Sequence, residues 1–185
     1  MILEDVSSNK IMKFKELTLS GAYLIEDEPH KDERGEFARA FCSNEFSSLG
    51  LSSKFVQCNL CRNNIKGTLR GIHYQNFPMA EVKLVRCVKG SIYDVIVDLR
   101  KESPTYLQWH GEKLTDDNGL MLYVPKGFAH GYQTLEDNTS IHYMVSEFYA
   151  PEYEKGLHFQ DPLLAIKWPI DVSNLSRKDA CWPKL

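Results

Sequence analysis

The chain has 185 residues, 43% of them hydrophobic and 25% charged, and a formal net charge of −3 at pH 7. That is enough chain for one domain with a full-sized core, in an ordinary soluble balance. The near-neutral charge excludes a global field that would gather nucleic acid or an anionic membrane, no apolar run approaches the ~20 residues of a spanning helix, and the acidic start lacks the basic-then-apolar order of a secretion signal, so the chain reads as cytoplasmic.

Residues 1–10 are polar and read as loose. Period-2 alternation then predicts strands over 11–17, 22–25, 36–41, 55–63, 83–88, 92–99 and 141–149. Lys89-Gly90 and Asn118-Gly119 are turn dipeptides between strands. A short helix capped by Ser43 or Asn44 is predicted to run to Leu49, with Gly50 as its stop. A second is predicted after Pro151, where Glu152 and Glu154 suit a first turn. Many short strands with little helix make an all-β sandwich or barrel. No repeat or linker divides residues 1–185.

The five cysteines are Cys42, Cys58, Cys61, Cys87 and Cys181. An odd number argues against a disulfide framework. Cys58-x-x-Cys61 sits in a predicted strand, and no second Cys/His pair at zinc spacing follows, so both read as small, partly buried side chains.

Two segments carry the chemistry. Residues 67–75 read Gly-Thr-Leu-Arg-Gly-Ile-His-Tyr-Gln, and residues 124–131 read Val-Pro-Lys-Gly-Phe-Ala-His-Gly. Each sets one histidine, His73 or His130, beside glycines in a strand-like stretch. Pro125-x-Gly127-x-x-His130 has the spacing of the second cupin motif. The first segment lacks the His-x-His pair of a metal cupin, so neither metal nor cofactor is expected. One histidine per segment suits proton transfer instead.

Alternation places Lys83 with Val85 and Cys87 on an otherwise apolar face, where an inward lysine suits a developing oxyanion. It places Tyr143, Val145, Glu147 and Tyr149 on another shared face. Arg70 and His73 have opposite parity, so a regular strand cannot turn both inward; a bulge at Gly71 would relieve this.

The chain resembles the nucleotide-sugar 3,5-epimerases of the dTDP-4-dehydrorhamnose 3,5-epimerase type. The resemblance runs in order from about Asp32 to Pro169. It rests on Arg34-Gly35-x-Phe37, Gln57-x-Asn59, 69–75, Lys83 to Arg86, Asp94 to Arg100 with Ser103-Pro104-Thr105, Pro125 to His130, Tyr143 with Tyr149-Ala150-Pro151, and Asp161-Pro162 with Trp168-Pro169. It implies a jelly-roll cupin barrel (a double-stranded β-helix) with a few short helices. It also implies a homodimer exchanging the N-terminal strands within 11–40, no metal, and a nucleotide-diphosphate 4-keto-6-deoxyhexose as substrate.

By that resemblance His73 is the base, Asp161 the carboxylate that orients it, Tyr143 the acid on the far face, and Lys83 the partner of the enolate oxygen. His130 sits near the same oxygen or a sugar hydroxyl. Arg70 and Arg34 hold the diphosphate, Gln57 and Asn59 line the same pocket, and Phe37 and Tyr149 belong to the nucleotide side. Arg39 stands where the family commonly has an acid near the base. A pure donor there hints at cytosine over thymine or uracil. The segment 79–82 departs from the Gln-Gly-like run expected before the lysine, which would suit inversion at C3 or C5 alone. Three readings follow: a dTDP-linked 3,5-epimerase supplying 6-deoxyhexose to surface polysaccharide such as O-antigen, a single-centre epimerase of a CDP-linked sugar, and a non-catalytic sugar-nucleotide-binding cupin.

Overall fold

Along residues 83–87 the alternation sorts side chains as expected. Val85 and Cys87 pack with Ile92, Ile96, Leu122 and Ile141, whereas Leu84 turns the other way, toward Phe46 and Met121. Two-sided strands of this kind build the molecule. The computed structural model describes residues 12–185; the expectations for 1–10 and for the first residue of the strand at 11–17 lie outside them.

In chain order the strands are β1 (Met12–Glu16), β2 (Tyr23–Asp27), β3 (His30–Asp32), β4 (Gly35–Phe37), β5 (Gln57–Asn63), β6 (Thr68–Gln75) and β7 (Lys83–Lys89). They continue as β8 (Ser91–Asp98), β9 (Trp109–Thr115), β10 (Leu120–Val124), β11 (Phe128–Thr134), β12 (Thr139–Val145), β13 (Glu154–Gly156) and β14 (Asn174–Leu175). Two short helices, α1 (Ser43–Ser48) and α2 (Arg177–Ala180), complete the set. One sheet has the order β1-β2-β10-β7-β12-β5; the other has β13-β6-β11-β8-β9, with β14 parallel to β6. β3 and β4 form a separate hairpin. This is the expected all-β jelly roll.

Three apolar clusters hold it together. The first lies between the sheets and joins Val85, Leu122 and Ile141 to Ile96, Phe128 and Tyr132. The second covers the outer face of the first sheet, where Phe46 of α1 meets Phe14 edge-on at 5.2 Å between ring centroids. The third covers the outer face of the second sheet, with Leu157 and Leu164 of the C-terminal segment on Ile72, Val95 and Val97. The segment that follows β13 therefore wraps back over the barrel.

Several boundaries differ from expectation. The strand expected over 36–41 ends at Phe37, because Phe41 leaves the hairpin to pack on Phe46 and Phe55. The strand expected over 141–149 stops at Val145, and beyond it Tyr149 bonds its backbone N–H to the Gln57 side chain instead of a ladder partner. The N-cap of α1 is Cys42, with no side-chain cap, so Ser43 and Asn44 lie inside the helix; Gly50 follows at φ +71° as a stop should. After Pro151 only a 3-10 turn forms, because the chain re-enters β13 and pairs with β6. Cys58 and Cys61, three apart on β5, point to opposite sides: Cys58 outward to His142, Cys61 inward to the Tyr132 hydroxyl.

Candidate active site

β6 delivers two functional side chains to one side because it bulges. The β6–β11 register pairs His73 with His130 and Arg70 with Tyr132, leaving Gly71 and Ile72 opposite the single residue Gly131. The extra residue reverses the parity, and Arg70 and His73 line the same cavity. Gly71 adopts φ +112°, and a Cβ there would stand 2.7 Å from the Gly131 Cα, so only glycine fits.

Two connected cavities, about 390 Å³ and about 290 Å³, occupy the open end of the barrel. His73, Lys83 and Tyr143 border both. The outer one adds Gln57, Asn59, Glu81, Tyr149 and Glu154; the inner one adds Cys61, Arg70, His130, Lys178 and Asp179.

His73 Nε2 lies 2.5 Å from the Asp179 Oδ1. With that nitrogen donating, the ring lone pair remains on Nδ1. Asp179 belongs to α2, where the Ser176 hydroxyl accepts from its backbone N–H. Burial pushes the Asp179 carboxyl up, but the hydrogen bond and charge of His73, with the Ser176 hydroxyl and the Gly71 backbone, hold it below the ordinary aspartate value. The Trp182 indole stands edge-on to the His73 ring, 5.9 Å between centroids.

The expectation that Asp161 orients His73 is therefore corrected. Asp161 is buried elsewhere: its Oδ1 accepts from the Leu163 N–H at 2.8 Å and its Oδ2 from the Leu185 N–H at 2.6 Å. It behaves as the turn residue before proline that its context allows, and also ties down the chain end.

Lys83 faces the cavity as the alternation predicts, its ammonium 3.0 Å from the Glu81 Oε1. The other Glu81 oxygen accepts from the Gln75 amide at 3.1 Å. Tyr143 carries a phenol raised above its ordinary pKa, chiefly by burial and then by the neighbouring Cys61 and Glu81. His130 holds the buried Asp94 at 2.7 Å. Arg70 donates from Nε to Asn63 at 2.8 Å, which aims its guanidinium along the inner cavity.

Tyr149 closes the outer rim. Its hydroxyl donates to Glu154 at 2.7 Å, which pushes the phenol up to about 12; Glu154 in turn pairs with Lys178 at 2.5 Å. Glu147, expected on the same face, does not border the cavity, because strand geometry has ended before it.

Three expected residues lie apart from this cavity. Arg34 pairs with Asp32 on the β3–β4 hairpin, and Phe37 at its end is 74% exposed. Arg39 pairs with Glu45 of α1 at 3.0 Å. Its guanidinium is engaged by the helix that follows it, so the cytosine reading loses the donor it rested on. The sequence reading missed Asp179, Glu81, Glu154 and Lys178. Two of them left a trace: Glu81 in the segment 79–82 that departs from the family run, and Asp179 in Ser176-x-x-Asp179, a helix-capping pattern at the chain end.

A jelly-roll barrel whose mouth gathers an aspartate-held histidine, a lysine, a tyrosine and an arginine is that of a cupin-type isomerase. Comparison with known proteins agrees. A sequence model of dTDP-4-dehydrorhamnose 3,5-epimerase matches residues 16–185. The dTDP-4-dehydrorhamnose 3,5-epimerase of Methanothermobacter thermautotrophicus is 41% identical over 176 residues, 94% of each chain. The Bacillus anthracis enzyme of that name, solved with TDP and pyrophosphate bound, superposes with a TM-score of 0.91 at 43% identity, covering 94% of this chain and 99% of that one. A Legionella pneumophila 3,5-epimerase in complex with dTDP-4-keto-L-rhamnose superposes with a TM-score of 0.87 at 39% identity, covering 92% and 91%. The chain belongs to the dTDP-4-dehydrorhamnose 3,5-epimerase family.

Proposed function

We propose that this protein inverts C3 and C5 of a dTDP-linked 4-keto-6-deoxyhexose. The observation that carries the reading is that His73, Lys83 and Tyr143 border one cavity, with His73 held by Asp179. His73 removes a proton from a carbon beside the ketone. Lys83 meets the negative charge that develops on the C4 oxygen, and Tyr143 returns a proton from the other side. Burial supports the last role, since it keeps the Tyr143 phenol protonated. Arg70, with its planar fork, is suited to the diphosphate, and Gln57 and Asn59 to the polar atoms beside it. His130 is placed for the same oxygen as Lys83 or for a hydroxyl. The thymidine nucleotide rests on the ligands of the two solved relatives and on the engagement of Arg39 elsewhere.

The reaction needs no metal or cofactor on this reading, and it should survive chelator. The exposed β3–β4 hairpin supports a homodimer in which Arg34 and Phe37 reach the partner's nucleotide. A cytoplasmic enzyme supplying a 6-deoxyhexose for surface polysaccharide such as O-antigen fits this substrate class; no helix among the described residues is long and apolar enough to cross a membrane. Glu81, in the segment that departs from the family run, keeps a single-centre epimerase as the second reading.

The test incubates the protein with dTDP- and CDP-4-keto-6-deoxyglucose in D2O and follows deuterium wash-in by NMR. Wash-in at C3 and C5 of the dTDP substrate is expected. Wash-in at one carbon selects the second reading, a preference for CDP restores the cytidine alternative, and none with either leaves a binding protein.

A further inference from the structure

Glu81 has no part in the chemistry described so far, yet it sits beside it. Its side chain is 10% exposed and that of Lys83 is 12% exposed, and both border the cavity shared with His73 and Tyr143. One carboxylate oxygen is 3.0 Å from the Lys83 ammonium, and the other is held by Gln75. A carboxylate in this place opposes the reaction. It draws on the charge of Lys83 and repels the enolate that Lys83 is there to stabilise. A substrate hydroxyl donating to it would offset that opposition.

The pair has a shape that meets this need. An ammonium and a carboxylate oxygen side by side present a donor and an acceptor at the spacing of two oxygens on adjacent carbons. A ketone oxygen accepts from the first, and the hydroxyl next to it donates to the second. In a 4-keto-6-deoxyhexose the hydroxyl on a carbon adjoining the ketone is at C3, since C5 bears the methyl group and the ring oxygen. Loss of the C3 proton flattens C3 and brings O3 into the plane of the C4 oxygen. Loss of the C5 proton leaves O3 on a tetrahedral carbon. A rigid donor–acceptor pair therefore fits the C3 enolate better than the C5 enolate, and a contact that strengthens on the way to an intermediate accelerates that step.

We propose that Glu81 and Lys83 together read an α-hydroxyketone, so that Glu81 is a specificity residue that selects sugars with a free 3-hydroxyl and promotes exchange at C3. This rests on the reading of Lys83 as partner of the C4 oxygen.

The experiment compares dTDP-4-keto-6-deoxyglucose with its 3-deoxy counterpart, using deuterium wash-in at C5, a position both possess. The parent should favour the 3-hydroxy sugar by about 10–100-fold in kcat/KM, the loss expected when one hydrogen bond to a charged acceptor is missing. Glu81→Leu should bring that ratio near one. In the 3-hydroxy sugar it should also lower C3 wash-in about tenfold relative to C5. Glu81→Gln keeps the shape and one acceptor oxygen, so it should fall between. Both readouts are ratios within one protein, so a general loss of activity or folding does not mimic them. Equal use of the two sugars by the parent, an unchanged preference in Glu81→Gln and Glu81→Leu, equal slowing at C3 and C5, or C5 exchange without C3 exchange in the parent would each overturn the proposal. Absence of wash-in at every position in the parent would instead remove the epimerase reading on which it rests.

Discussion

His73 and Asp179 stand 2.5 Å apart, and the sharpest consequences at the scale of single residues follow from them. His73→Ala should abolish proton exchange at C3 and C5 together, because it removes the base; measurable exchange at the parent rate would assign the base elsewhere. Tyr143→Phe should behave differently. It removes only the returning acid, so wash-in persists while net inversion, read from the NMR couplings of the product, is lost. Asp179→Asn should cost roughly two to four powers of ten in kcat, since an amide favours the wrong imidazole tautomer and cannot support the imidazolium. Arg39 illustrates how one contact redirects an argument. With its guanidinium on Glu45, Arg39→Glu sets a second carboxylate against that of Glu45 on α1. A loss of roughly 1–2 kcal/mol in stability is expected by denaturant melt, with the ratio of dTDP to CDP binding unchanged. A shift of that ratio toward dTDP would return Arg39 to the base.

At the scale of elements, the C-terminal segment is a strap that completes the site. It carries Asp179 to His73, Trp182 across Gly156, and Lys178 to Glu154. Asp161 anchors its end through the Leu185 N–H. Asp161→Asn should thus lower activity less than Asp179→Asn, and hydrogen exchange should show the amides of 176–185 opening while β8 stays protected. The strap should also respond to acid. The Asp179 carboxyl is held below its ordinary value in the folded protein, so its contribution is fully present above the unfolded value of about 4 and is lost as pH falls through the folded one. The strap should loosen in that acid window in the parent, and Asp179→Asn should remove the dependence. An identical acid profile in both would place the sensitivity elsewhere, for instance at the buried Asp98, whose carboxyl is driven far down: burial opposes this, but Arg100, Ser103 and Thr105 outweigh it.

For the molecule as a whole, the β3–β4 hairpin stands off the barrel with Arg34 and Phe37 outward, and the edge of β5 is unpaired by any described strand. An exchanged dimer would give both a partner. β1 and β2 pair within this chain's own sheet through β10, so the exchange is left to the hairpin. Replacing the hairpin, residues 30–37, by a short turn should yield a monomer by sedimentation, and Arg34→Ala should raise KM for the nucleotide sugar by roughly tenfold with a smaller change in kcat, the loss of one charge-assisted phosphate contact. A dimer that persists without the hairpin would refute the exchange.

The sequence alone determined the things that depend on local pattern. Alternation through Lys83, Val85 and Cys87 was enough to turn the lysine inward; once the resemblance put Arg70 and His73 in one site, their opposite parity, with glycine between them, pointed to the bulge that β6 contains. Motif order was enough for the barrel and the family. Partnership across the fold was decided only by the tertiary structure. Asp161 and Asp179 are both aspartates near the chain end; one precedes a proline and the other sits in a helix-capping pattern, but neither context says which of them reaches His73. His73 lies 106 residues from Asp179, and their contact exists because α2 is folded back over β6. Glu81 reads in sequence as a polar residue before a strand; only the closed barrel buries it against Lys83 and makes its charge matter. Charge and hydrogen-bonding groups act through space at a few ångströms, whereas pattern reports only which face of an element they leave from.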